Sequence, residues 1–216
     1  MFAFWAVFIV LLAIIIWCNR EYHMLKDVGL GTPRPYSYAR VQLTWWTLIV
    51  LSSVVSIYIV TGQFPDLWPS TLYLLGISSA TTATGTVIDL NDKSRYGSAD
   101  ANLVQNESGK NMIYDILTDK NDVSIHRLQA VVFNFTLGFW YIQQVLHNMP
   151  AITDKLTAMA VNKIMPDVPQ NNLILIGLSA GVYAGLKTTE NKQPQLAAMA
   201  KTTGEQDPVT VTQKIG

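Results

Sequence analysis

The side chains that could do chemistry are few and scattered. His23, His126 and His147 are the three histidines, and no two have the spacing that puts metal ligands on one helical face. Cys18 is the single cysteine, which excludes an internal disulfide and a cysteine-built metal cluster within one chain. In TDKNDVS, Thr118 to Ser124, the residues Asp119, Asn121 and Asp122 open like a calcium loop, but the EF-hand's sixth-position glycine and twelfth-position glutamate are absent. The segment reads instead as a turn that caps the following helix. TTATGT, Thr81 to Thr86, has the Thr-Gly composition of a potassium filter, yet it reads as the end of a full span and not as a re-entrant loop of carbonyls. There is no H-E-x-x-H, phosphate loop, dinucleotide fingerprint or nucleophilic triad in plausible context. The expectation is a non-enzymatic protein with no catalytic residue, no metal and no cofactor.

A second group of polar residues sits inside apolar runs. Ser78, Thr82, Asn134, Gln143, Gln144 and Ser179 are the candidates for a polar path through a bundle. Hydroxyls and amides in hydrocarbon seek partners on neighbouring helices, so the plainer reading of the amides is that they glue the bundle.

These residues are carried on elements that composition assigns to lipid. Half of the residues are apolar and 14% are charged, well under the quarter usual for a soluble domain. The 15 basic and 15 acidic residues balance, which gives no footprint for nucleic acid. The apolar residues lie in long runs: Phe2 to Trp17, Val41 to Thr61, Leu72 to Ile88, Leu128 to Leu146 and Leu173 to Leu186. The first lacks the basic leader and small-residue cleavage site of a signal peptide and reads as an uncleaved anchor. The expected fold is all-α and polytopic, with five transmembrane helices.

Arg20, Lys26, Arg34 and Arg40 precede the second span, Lys93, Arg95, Lys110, Lys120 and Arg127 follow the third, and Lys187, Lys192, Lys201 and Lys214 follow the fifth. The other two connections contribute only Lys155 and Lys163. The positive-inside rule then puts the N-terminus outside and the C-terminus in the cytoplasm.

Self-similarity is the most specific feature. SYARVQ, Ser37 to Gln42, and SIHRLQ, Ser124 to Gln129, share Ser-x-x-Arg-x-Gln, and LYLLGISSATTATG, Leu72 to Gly85, aligns without a gap on LILIGLSAGVYAGL, Leu173 to Leu186. The unit is a two-helix hairpin present twice in the same orientation, related by an axis near the membrane normal, with the first span outside the repeat. The serines are expected to cap their helices, and Arg40, Gln42, Arg127 and Gln129 to act as interfacial anchors at the headgroups. Gly76, Ala80 and Thr84 recur every four residues, as do Gly177, Gly181 and Gly185. Such faces are helix-packing faces, between the hairpins or between subunits.

The chain thus divides into an anchor (1–18), a cytoplasmic connection (19–40), a first hairpin (37–88), a cytoplasmic loop (89–123), a second hairpin (124–187) and a mobile tail (188–216). Gly97, Asn106, Ser108 and Gly109 suggest that the loop begins as a mobile stretch, while Asn111 to Leu117 reads as a short helix at the membrane surface. Ala151 to Met165 is amphipathic and is expected to lie flat on the outer surface.

The run IYDILTDKNDVSIHRLQ, Ile113 to Gln129, followed by an aromatic-rich span and LILIGLSAGVYAGLK, Leu173 to Lys187, resembles a family of uncharacterised bacterial inner-membrane proteins with "DILSD…SxHRxQ" and "LxGISSGTYLGFK" stretches. The resemblance spans the second to fifth apolar runs and implies a prokaryotic cytoplasmic membrane but no activity. Two functions fit these observations: an oligomeric passive channel, slightly favoured by the hydroxyl-rich third span, or a scaffold that holds a soluble cytoplasmic partner. Lipid and further copies of the chain are the expected partners in both.

Overall fold

The computed structural model describes residues 1–28, 33–104, 109–118, 123–149 and 161–188, with the backbone alone at 92, 93 and 95–104. Asp119, Asn121 and Asp122, Asn106 and Ser108, the amphipathic stretch as far as residue 160, and the tail from residue 189 lie outside these. Among the described residues six helices are named: α1 (Phe2–Tyr22), α2 (Tyr38–Thr61), α3 (Pro69–Val104), α4 (Met112–Leu117), α5 (Ile125–Asn148) and α6 (Gln170–Lys187). The described residues contain no strand, only isolated bridges Lys26↔Tyr36 and Thr118↔Val123.

Four of these helices begin or end for a local reason. α1 stops at His23, whose left-handed backbone (φ 55°) turns its N–H onto the Asn19 carbonyl. α2 stops at Gly62 (φ 68°), where glycine takes a left-handed cap without the steric cost of a Cβ. α3 opens on Pro69, whose missing N–H is one the first turn leaves unbonded anyway. Asn111 caps α4 by accepting from the Tyr114 N–H at 2.8 Å.

α3 corrects one expectation. The segment from Asp89 to Val104 is not a mobile start to the loop; it continues the helix through Gly97. Apart from that one glycine it carries no helix breaker, and adding residues to a formed helix escapes the cost of nucleation. The helix runs to about 54 Å, well beyond the roughly 30 Å of a hydrocarbon core. The short helix expected after it is present as α4.

α1 and α2 are long and apolar enough to cross a membrane. α3, α5 and α6 do not meet that measure, being diluted by Gly, Ser, Thr, Asn and Gln, so the five-span count is not carried by hydropathy.

The four repeat helices close a ring: α2 packs on α3, α3 on α6, α6 on α5, and α5 on α2, with α1 laid along α2. Each helix therefore lies beside its own counterpart and parallel to it. A half-turn about the bundle axis would have put counterparts on diagonals, so the copies are related chiefly by lateral displacement. The main core gathers Phe4, Trp46, Ile49, Leu74, Tyr141 and Ile176. A second core lies at the other end, where α2 and α5 begin, around Leu25, Tyr38, Ile116 and Tyr183.

Candidate functional site

The Ser-x-x-Arg-x-Gln segments fold alike. Ser37 (φ −90°, ψ 121°) and Ser124 (φ −89°, ψ 119°) hold the same N-cap backbone, and both helices run for 24 residues. Neither hydroxyl caps its helix, contrary to expectation. Ser124 Oγ pairs instead with His126 Nδ1 at 2.7 Å. Each serine N–H reaches back to a leucine carbonyl, Ser37 to Leu25 at 2.8 Å and Ser124 to Leu117 at 2.9 Å. The arginines bind backwards too: Arg40 Nη1 donates to the Met24 carbonyl at 3.3 Å and Arg127 Nη1 to that of Thr118 at 2.6 Å.

These contacts revise the anchor role. Arg127 is buried, over the face of Tyr183, and Gln42 is buried with both amide atoms lacking a protein partner. Of the four expected anchors, Gln129 alone is exposed. The arginines fasten each helix to the turn before it. A longer repeat follows that residue spacing alone conceals: Asn19, Tyr22, Leu25 and Asp27 match Asn111, Tyr114, Leu117 and Asp119. The intervening turn is five residues shorter in the second copy, which breaks a gapless comparison (Leu25 to Ser37 against Leu117 to Ser124). At the opposite end, FPDL from Phe64 matches MPDV from Met165.

The seam between α2 and α5 is organised by Asn134. Its Oδ1 accepts from the Trp46 indole at 2.9 Å, and its Nδ2 donates to the Tyr38 hydroxyl at 2.9 Å and to the Ala130 carbonyl at 2.8 Å. Trp45 Nε1 donates to the Asn134 carbonyl at 3.3 Å, and its ring packs against Gly138, where a Cβ would overlap the indole. Asn134 is thus fully engaged in holding two helices together.

The other polar-path candidates do not converge. Ser78 is buried with its hydroxyl unpartnered, and Thr82 donates to the Ala39 and Ser78 carbonyls at 3.0 and 2.9 Å. Gln143 is exposed, and Gln144 and Ser179 are half-buried on other faces. Of the small-residue stripes, Gly177 meets Ile77 across the α3–α6 contact, while Gly76, Gly181 and Gly185 have open space where a Cβ would stand. Ala80 and Thr84 are exposed. Close packing of the hairpins through these faces is therefore confined to one glycine of the six positions.

Charge collects at the end where α2 and α5 begin. Lys187 pairs with Asp27 at 3.4 Å and Asp89 at 3.0 Å. Asp115, also buried, accepts from the backbone N–H groups of Tyr36 at 3.1 Å and Lys110 at 2.9 Å. Burial works against the Lys187 charge, but Tyr183, Asp27 and Asp89 outweigh it and hold the ammonium above the usual lysine range. Among the described residues, no three His, Cys, Asp or Glu side chains are placed to share a metal ion.

At the far end the Pro-Asp loops cross-link the two copies. Asn162 Oδ1 accepts from the Asp66 N–H at 2.9 Å and its amide donates back to the Asp66 carboxylate. Ser70 Oγ donates to Asp167 at 2.7 Å and accepts from the Val168 N–H at 3.0 Å. Each loop thus binds the opposite copy.

No family model, curated protein or solved structure matches the chain.

Proposed function

We propose that the chain is a non-enzymatic polytopic protein of a prokaryotic cytoplasmic membrane, a scaffold whose helix bundle holds a polar cytoplasmic cap for a soluble partner. Five spans, α1, α2, the first half of α3, α5 and α6, put the N-terminus outside and the C-terminus inside. The support for α3, α5 and α6 as spans is the ring itself: α2 and α3 share a core with α5 and α6, and parallel counterparts require both hairpins to sit at one depth. α1 belongs to the same body, since Phe4 is fully buried in that core while Ile9, Val10, Ile16 and Trp17 stay exposed as a lipid-facing helix would. The cap consists of the α3 extension, α4 and the Lys187 cluster.

The observation that carries the scaffold reading is Asn134. This buried amide has Oδ1 and Nδ2 both bonded to side chains of the neighbouring helix, which leaves it no role in solvating a passing ion. A second reading, a passive channel, draws on Gln42 and Ser78. Both are buried with polar atoms that lack protein partners, and the Thr82 to Ala39 bond sets them one turn along on facing sides of α3 and α2. Unpaired polar atoms of this kind attract water. Purified protein in liposomes tests the two: the scaffold gives no ion or small-solute flux above protein-free liposomes, whereas flux that Gln42→Leu reduces overturns it in favour of the channel.

A further inference from the structure

The two hairpins are copies, yet among the described residues only the first has its groove filled. With Ser37 set on Ser124 and Leu72 on Leu173, counterparts can be read off residue by residue. In the first copy the α2–α3 groove is lined by Trp46, Ile49, Ser53, Thr71 and Leu74, all fully shielded. α5 reaches two of them through Tyr141, whose ring stands edge-on to Trp46 at 6.3 Å and whose hydroxyl meets that of Thr71 at 3.1 Å. The counterparts in the second copy are Phe133, Thr136, Trp140, Asn172 and Leu175. They line an open groove of about 380 Å³ between α5 and α6, and not one of them is buried.

The surface that fills the first groove is also duplicated. α5 turns Asn134, Gly138 and Val145 inward, all of them buried. Their counterparts on α2, Thr47, Leu51 and Tyr58, are exposed even with α1 in place, Leu51 at 42% and Tyr58 at 49%, while Val54, the counterpart of Tyr141, is buried between them. Among its described residues one chain therefore presents counterparts of both halves of an interface it has already built once internally, an open groove on the second hairpin and a ridge exposed at Thr47, Leu51 and Tyr58 on the first.

We infer that a second copy of this chain lays its α2 ridge into the α5–α6 groove, repeating between chains the contact that joins the hairpins within one. The two surfaces differ, so the contact is heterologous: every copy gives one ridge and receives one, and the assembly extends head to tail as an open row in the membrane plane. The displacement that relates the hairpins inside the chain sets the direction of growth. This inference rests on the membrane reading above, in which lipid, not water, is displaced from the groove and close packing drives association.

The contact to trap is the counterpart of Gly138 against Trp45, namely Leu51 of one copy against Val132 of the next. In a full-length Cys18→Ser background, Leu51→Cys and Val132→Cys are placed in differently tagged copies, co-expressed and treated in native membranes with a short bis-maleimide. A cross-linked heterodimer is expected from the mixed pair, with little product from either variant alone, and a ladder of multimers from a chain carrying both cysteines. Absence of the mixed product, or cross-linking of Leu51→Cys chains with one another to the same extent, overturns the inference. The unsubstituted protein in nanodiscs gives an independent readout: masses of two or more copies support it, and a monomer with lipid in the groove sinks it. Resistance to alkaline extraction, followed on the same samples, separates the two levels, because loss of the membrane reading strips the protein from the bilayer, whereas loss of the interface alone leaves it embedded and unlinked.

Discussion

At the scale of single residues, the α2–α5 seam is where substitution tells most. Gly138→Ala puts a methyl into the Trp45 indole, 2.7 Å from its Cε2, and the ring is itself tied to the Asn134 carbonyl. Overpacking of this kind costs about 1–3 kcal/mol. A fall in the unfolding midpoint of the detergent-solubilised protein, relieved by adding Trp45→Leu, is the expected outcome; no fall would mean that the helices separate freely there. Asn134→Leu removes the bonds to Trp46 and Tyr38, and interhelical bonds in bilayers average only about 0.6 kcal/mol each. A double-mutant cycle with Trp46→Phe should return a coupling of about that size. Lys187 is a different case, because Lys187→Met removes the cation that Asp27 and Asp89 share. Breaking such a pair costs about 3 kcal/mol. Its folded value is raised, so its contribution is complete below the unfolded lysine value near about 10.4 and is lost only as pH climbs through the higher folded one. The stability gap between the two proteins should accordingly stay flat across neutral pH and narrow in strong alkali.

At the scale of elements, the repeat dictates more than either hairpin would alone. Ser37→Ala should cost less than about 0.5 kcal/mol, below the roughly 1 kcal/mol of an N-cap serine, because its hydroxyl bonds nothing in the first turn and the backbone N–H to Leu25 survives the change. Ser70→Ala should cost more, since it strips Asp167 of a donor and the Val168 N–H of its acceptor, linking positions far apart in the chain. Chemical unfolding of the two variants side by side ranks them. The same elements explain what the sequence made legible. Long apolar runs announced α1 and α2, and Ser-x-x-Arg-x-Gln announced that α2 and α5 begin alike, because periodicity and local motifs are written in neighbouring residues. The backward bonds of Arg40 and Arg127 were not legible, since their acceptors are carbonyls that precede turns of unequal length. Nor was the contact of Trp45 with Gly138, which depends on which face of α2 meets α5. The run of α3 to Val104 was hidden by polar residues that signal a loop by composition yet are compatible with a helix already under way.

At the scale of the whole molecule, the arrangement of the ring and the distribution of charge make a joint demand on topology. Parallel counterparts place the starts of α2 and α5 at one end of the bundle, together with the ends of α3 and α6, and the Lys187 cluster, Arg127 and α4 lie at that same end. The Pro-Asp loops occupy the other end, where Asp66 and Asp167 are joined to the opposite copy by Asn162 and Ser70. Under the proposed topology the basic end faces the cytoplasm, and every connection between spans has a fixed address. Single cysteines introduced in the Cys18→Ser background make this measurable with a membrane-impermeant maleimide on intact cells. Gln63→Cys, in the exposed turn after α2, should label from outside. Lys110→Cys, beside α4, should label only after the membrane is opened. Labelling of both positions from the same side would put the two ends of one hairpin in one compartment, which no spanning arrangement of α3 allows. Labelling in the reverse order would keep the spans and invert the protein, moving the cap and any partner it holds to the outer face.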